Sequence, residues 1–187
     1  YNIDLKGAFY PLERDGLIAG SYRDKTTFRF WFKDEQVKRC LSKAGTILEL
    51  YIYLMASELT QKDGSRYYTD EMIGVFIDWD GVVHDETDFA VDTENEIDVV
   101  LMRGLVPVFI SCKNGAVGED ELYKLRSVAD RFGSAYAKRV LVGTTFGRGK
   151  TSKEYLLERA KDMNVQVIEG VHEMTEEELK KRLRELA

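Results

Sequence analysis

Apolar and polar positions along the chain change period several times, and each change marks a predicted element. The first 34 residues read as β structure: "GAFYPLE", a turn signal at Arg14-Asp15-Gly16, "LIAGSY", then the aromatic alternation "TFRFWF". This segment has no core of its own and is set apart as a β-rich N-terminal extension or linker over residues 1–34. From Asp34 to Lys43, Val37 and Leu41 recur at helical spacing in a polar stretch, which predicts a short amphipathic helix. Gly45-Thr46 then opens "ILELYIYLMASEL", apolar on nearly every face and therefore expected to be buried. Strand-like "MIGVFIDW" follows, then a turn at Asp80-Gly81 and the polar "HDETDFAVDTEN". Two further β runs, "EIDVVLM" and "VPVFISC", are joined at Arg103-Gly104-Leu105.

The second half takes a helical period, with Leu122, Leu125, Val128, Ala129 and Phe132 on one face and Gly133 as the stop. A strand "RVLVG", the basic loop "TTFGRGKTS", a helix "KEYLLERAKDM" and a strand "VQVIEGV" come next. The charged C-terminal helix carries one thin apolar stripe, Leu179, Leu183 and Leu186. This order predicts an α/β domain over residues 35–187, a central mixed β-sheet flanked by helices.

Composition narrows the function classes. At 187 residues, 44% hydrophobic and 32% charged, the chain is a folded domain with a small appendage, not a disordered segment. Lys+Arg number 27 against 33 Asp+Glu, a net charge of −6, so any phosphate-binding surface must be local. Two cysteines and two histidines supply neither a disulfide scaffold nor a zinc-ligand spacing, and a reducing cytoplasm is the default expectation. No apolar run approaches the roughly 20 residues of a membrane span, and no role at a membrane is expected. The chain begins at Tyr1 and reads as a piece of a longer protein.

Glu49 is the first chemical anomaly, a carboxylate inside "ILELYIYLM" where ionisation needs a cation or hydrogen-bond donors. A half-exposed, surface-facing glutamate is the plainer alternative. Glu96 and Asp98 alternate along one predicted strand, as do Ser111 and Lys113 along the next. An even-numbered connecting loop would bring these four to one side of the sheet, two carboxylates with a hydroxyl and an ammonium. Cys112 would then face the core. A cross-strand salt bridge on a solvated face would produce the same pattern.

The ordered blocks "GTILELYIYL", "NEIDVVLMRGLVPVFISCKNG" and "ELYKLRSVADRFGSAYAKRVLV" resemble the PD-(D/E)XK nuclease superfamily. More narrowly, they resemble the nuclease domain of CRISPR ancillary effectors that join it to a CARF sensor for cyclic oligoadenylate. The likeness covers about Gly45 to Val142. It implies a restriction-endonuclease-like fold and a metal-dependent endonuclease acting on DNA or RNA with Mg²⁺ or Mn²⁺. It also implies a homodimer, and a role as effector module of a CRISPR-linked defence protein. By this resemblance Glu49 is the helix carboxylate, Asp98 the principal metal ligand and Lys113 the lysine of the last motif. The chain departs from the pattern at Ser111, where the superfamily has Asp or Glu, and Glu49 or Glu96 would have to supply that charge. A catalytically weak nucleic-acid-binding or dimerisation scaffold is the alternative that this departure leaves open.

Two motifs compete. "VFIDWDGVVHDE" is similar to the first motif of haloacid dehalogenase phosphatases, with Asp78 as nucleophile and Asp80 as general acid, whereas Asp80-Gly81 is equally a hairpin turn. "TTFGRGKTS" imitates a P-loop but has Thr144 where its first glycine belongs. That loop still offers Arg148, Lys150 and Lys153 as contacts for a nucleic-acid phosphate.

Overall fold

A computed structural model describes residues 5–24, 27–79, 94–133, 135–146 and 152–186. The chain forms two compact units, residues 1–47 and 48–187.

In the first unit, helix α1 (Leu5–Arg14) precedes an antiparallel pair, β1 (Ile18–Arg23) and β2 (Phe28–Phe32), and then α2 (Glu35–Ser42). The strand expectation for "GAFYPLE" is corrected by α1, which contains Pro11. Proline and glycine lower helix propensity, but tertiary packing overrides it. The Phe9 ring meets Phe28 and Phe30 at centroid distances of 4.9 and 4.7 Å. Asp34 caps α2 by accepting from the Val37 N–H at 2.8 Å.

Helix α3 (Ala44–Ser57) leads into the second unit. It buries Leu48, Ile52, Met55 and Ala56 but leaves Ile47 and Leu54 exposed, so the expectation of burial on every face holds for one side only. The sheet is five-stranded and mixed, in the order β3 (Asp70–Asp78), β4 (Glu94–Arg103), β5 (Val106–Val117), β6 (Lys138–Phe146) and β7 (Gln166–Glu169). The β3–β4 and β4–β5 pairs are antiparallel, and the β5–β6 and β6–β7 pairs are parallel. The parallel pairs are made by α4 (Glu119–Phe132) and α5 (Lys153–Asp162) as crossovers, and α6 (Glu176–Arg184) closes the chain.

Alternation along the strands splits the core into two layers. Val99, Leu101, Ile110, Cys112 and Val142 pack with α3 and with Leu179 and Leu183 of α6. Val100, Phe109 and Leu141 pack with Leu122 and Leu125 of α4 and Leu156 of α5. The sheet is therefore sandwiched by helices. Helix α6 is further tied down where the Tyr68 hydroxyl donates to the Leu183 carbonyl at 2.5 Å. Among the described residues, no helix is long and apolar enough to cross a membrane.

The alternation fails in β4. Ile97 packs in the α4 layer, yet Val99, which would share its face in a regular strand, packs in the α3 layer. Opposite this break is Gly74, between the pairs Ile73↔Val99 and Val75↔Ile97, at φ 61°. That left-handed conformation is open to glycine and strained for other residues. The residue at the break in β4 is Asp98.

Candidate active site

The β4–β5 hairpin sets the register of the site. Arg103 pairs with Val106 around the two-residue turn Gly104-Leu105, and the ladder runs back to Val99↔Ile110. The ladder stops there, and the next residues, Asp98 on β4 and Ser111 on β5, meet through their side chains. Beyond Ile110 the Asp98 side chain takes its place. Its Oδ2 accepts from the Cys112 backbone N–H at 2.5 Å and from the Ser111 hydroxyl at 3.2 Å. The carboxylate thus satisfies a backbone donor on β5, and those two bonds fix its orientation.

On its other side β5 continues to pair with β6, Ser111 with Leu141 and Lys113 with Gly143. The pairing shifts after Lys113, where Gly115 has φ 125°. The Thr144 hydroxyl accepts from the Gly115 N–H at 2.9 Å and lies 3.2 Å from Asn114 Oδ1, to which it donates. This bulge ends the straight run of the strand just beyond Lys113.

Glu96, Asp98, Ser111 and Lys113 line one cavity of about 260 Å³ together with Glu121 and Lys124 of α4. The cavity has room for a phosphate group and ordered water. Lys113 lies 3.1 Å from Glu121. Burial works to lower the pKa of Lys113, but the bond to Glu121 and the negative charges of Glu121 and Asp98 outweigh it and raise the pKa. Lys113 is therefore an ammonium at neutral pH.

Glu49 is not among the residues lining this cavity. It is half-buried on α3, and its charge reaches the Cys112 thiol from the α3 layer. Burial first, then the charges of Asp98 and Glu49, push the Cys112 thiol well above its ordinary pKa, with Lys113 opposing. Cys112 itself is buried in the core. Asp98 and Lys113 thus share a cavity, while Glu49 stands on α3, whose buried residues pack with Cys112 in the other layer.

Lys153 is elsewhere. It pairs with Glu169 at 2.7 Å and lines a separate cavity of about 570 Å³ with Thr144, His172 and Arg182. Arg148 and Lys150 lie outside the described residues, as does Asp80. Asp78 ends β3, an antiparallel edge strand, whereas open α/β sheets build such sites at the carboxyl ends of parallel strands. The topology removes the phosphatase reading. Glu121 was not singled out by the sequence: "GEDELYKL" reads only as an acidic first turn, and its contact with Lys113 depends on how α4 folds back after β5.

Oxygen donors suit a hard divalent cation, and the carboxylates beside Ser111 are of that kind. Among the described residues, no group of three or more His, Cys, Asp or Glu is already close enough together to hold a metal ion. These oxygens are of the kind that Mg²⁺ or Mn²⁺ takes, and Asp98 is held in place by its two hydrogen bonds.

A mixed sheet between helices brings an aspartate and a lysine from adjacent strands into one cavity, an arrangement compatible with a nuclease-type α/β domain. The family model described as "Card1-like, endonuclease domain" matches residues 34–187, and the chain belongs to that family. Among solved structures it is similar to protein VC1899 from Vibrio cholerae, at TM-score 0.67 and 18% identity, covering 98% of this chain and 42% of that one. It is also similar to Can2 from Sulfobacillus thermosulfidooxidans, solved in complex with cyclic tetra-adenylate, at TM-score 0.62 and 17% identity. That match covers 100% of this chain and 46% of Can2. At these identities the likeness is one of fold, and the chain spans less than half the length of either protein. No curated protein matches the chain.

Proposed function

We propose that this endonuclease domain hydrolyses nucleic-acid phosphodiester bonds with Mg²⁺ or Mn²⁺ held by Asp98 and a second carboxylate. The observation that carries this reading is the meeting of Asp98, Ser111 and Lys113 in one small polar cavity at a break in the sheet. Glu49 is the favoured second carboxylate, a half-buried acid on the helix whose layer packs against Cys112, the residue whose N–H holds Asp98. Glu96, which lines the cavity, is the other candidate.

Such a cation, when bound, polarises a phosphodiester oxygen and lowers the pKa of a coordinated water. The protein groups do the rest. The Cys112 N–H and the Ser111 hydroxyl keep Asp98 aimed. Lys113 remains an ammonium and so acts on the negative charge that develops at phosphorus, not as a base. Asp98 and Lys113 address the phosphate, a group common to every nucleotide, which favours recognition of backbone over sequence.

The same reading takes the domain as the effector module of a CRISPR-linked defence protein, with a CARF sensor binding cyclic oligoadenylate, and as a homodimer. Support comes from the family and from a fold shared with Can2. The test is cleavage of single- and double-stranded DNA and RNA with and without Mn²⁺. Cleavage that EDTA abolishes, and that falls at least about 100-fold in Asp98→Ala and in Lys113→Ala, is expected. Undiminished cleavage in EDTA would overturn the metal mechanism, and cation-independent binding without cleavage would identify a scaffold.

A further inference from the structure

Helix α4 starts at Glu119, two residues after β5 ends at Val117, so its first turn folds back near the strand that carries Lys113. That turn holds three acids, Glu119, Asp120 and Glu121. All three would favour a helix N-terminus, but only Glu121 lines the cavity of Asp98 and Ser111. Its side chain is 17% exposed, with Oε2 at 3.1 Å from Lys113 Nζ and Oε1 at 3.4 Å from Lys124 Nζ. Two lysines are thus gripped by one half-buried carboxylate.

A lysine on its four-carbon stem has many rotamers, and the anion next in line for Lys113 is Asp98, whose field it already feels. An ammonium that collapsed onto Asp98 would neutralise the group needed to hold a cation, and one that swung to solvent would be lost to the reaction. Resting on the nuclease reading above, we propose that Glu121 is a positioning residue. It holds the Lys113 ammonium within the cavity and off Asp98, so that both can face one phosphate.

The test is a double-mutant cycle on cleavage by the intact chain in Mn²⁺. Glu121→Gln, which keeps shape and removes charge, is expected to lower kcat about 10–100-fold at unchanged KM, the scale of a misplaced catalytic group. Its Mn²⁺ affinity by calorimetry is expected to fall, and to equal that of Lys113→Ala once Lys113 is also removed, because the weakening acts through Lys113 on Asp98. In a Lys113→Ala background, Glu121→Gln should cost nothing more, because it acts only through Lys113. Glu121→Asp, which keeps the charge one methylene back, should recover part of kcat, and it carries the same cycle should Glu121→Gln fail to fold. The ¹⁵N signal of the Lys113 ammonium, identified by its loss in Lys113→Arg, should be slow to exchange in the wild type and broadened in Glu121→Gln. A further loss of activity in the double mutant, or Mn²⁺ binding weaker there than in Lys113→Ala alone, would make Glu121 a direct participant and overturn the inference. Full activity in Glu121→Gln beside an inactive Lys113→Ala would overturn it alone. Full activity in Lys113→Ala would overturn the nuclease reading and this inference together.

Discussion

Ser111 occupies a position where a carboxylate would bring a second charge to a cation, and what it does instead is donate to Asp98 Oδ2 at 3.2 Å. The Cys112 N–H reaches the same oxygen at 2.5 Å, so Asp98 keeps an orienting donor without the serine. Ser111→Ala is therefore expected to lower cleavage by about 10-fold or less, because the Cys112 N–H still holds the same carboxylate oxygen. Glu49→Gln removes a charge and is expected to weaken Mn²⁺ binding and cleavage much more. The two variants, assayed side by side for kcat and for Mn²⁺ affinity, decide which oxygen donor matters. A dead Ser111→Ala with a silent Glu49→Gln would mean that the serine has chemistry of its own. The cysteines offer an independent check of the local structure. Cys112 is 3% exposed, whereas Cys40 is partly exposed. Iodoacetamide at neutral pH should label Cys40 in the native protein and Cys112 only after unfolding, as peptide mass mapping would reveal. Rapid native labelling of Cys112 would contradict the burial described here.

At the scale of elements, the hairpin was legible and the break in it was not. Two runs of alternating residues and a short turn with Gly104 fix the parity that lets Asp98 meet Ser111. The change of face between Ile97 and Val99 leaves no mark in β4 itself, because both residues are apolar and either layer accepts them. Its trace is Gly74 in the neighbouring strand, a glycine in an otherwise apolar run that pattern alone reads as harmless. A non-glycine residue at φ 61° costs about 1–3 kcal/mol. Gly74→Ala should lower stability by that amount in urea unfolding, and should also depress cleavage because Asp98 sits across from the strained position. Loss of stability with full activity would uncouple the break from the site. Helix α1 was missed for a different reason. "GAFYPLE" has poor intrinsic helicity, and only the contacts of Phe9 with Phe28 and Phe30, which no local window contains, favour the helix. Gly133, by contrast, was read as a helix stop and has a second duty. A Cβ there would lie 2.3 Å from the Ala137 Cβ and 2.5 Å from the Phe109 ring. Gly133→Ala should therefore destabilise the fold by about 1–3 kcal/mol through overpacking, measured by the same unfolding titration.

For the molecule as a whole, the net charge of −6 sets the terms on which nucleic acid can approach. Long-range repulsion opposes binding, so local cations must do what a basic surface does in other nucleases. The described part of the cavity holds Lys113 and Lys124 against Glu96, Asp98 and Glu121, a net negative patch before any metal arrives. Crowding of like charges raises the energy of the folded state, and a divalent cation that binds only the folded state relieves it. Mn²⁺ at about 100 times its Kd should thus add about 2.7 kcal/mol of stability, which for a domain of this size is a rise in Tm of roughly 5–10 °C. Asp98→Asn should abolish the rise because the ligand is gone, and should itself raise Tm without metal, since the amide can still accept from the Cys112 N–H while one repelling charge is removed. Lys113→Ala should keep the rise, because an ammonium repels the cation rather than holding it. Differential scanning fluorimetry of the three proteins with Mn²⁺ and with EDTA makes the comparison without any substrate. A metal shift that survives Asp98→Asn intact would put the cation somewhere other than the break in β4, and the roles argued for Asp98 and Lys113 would fall with it.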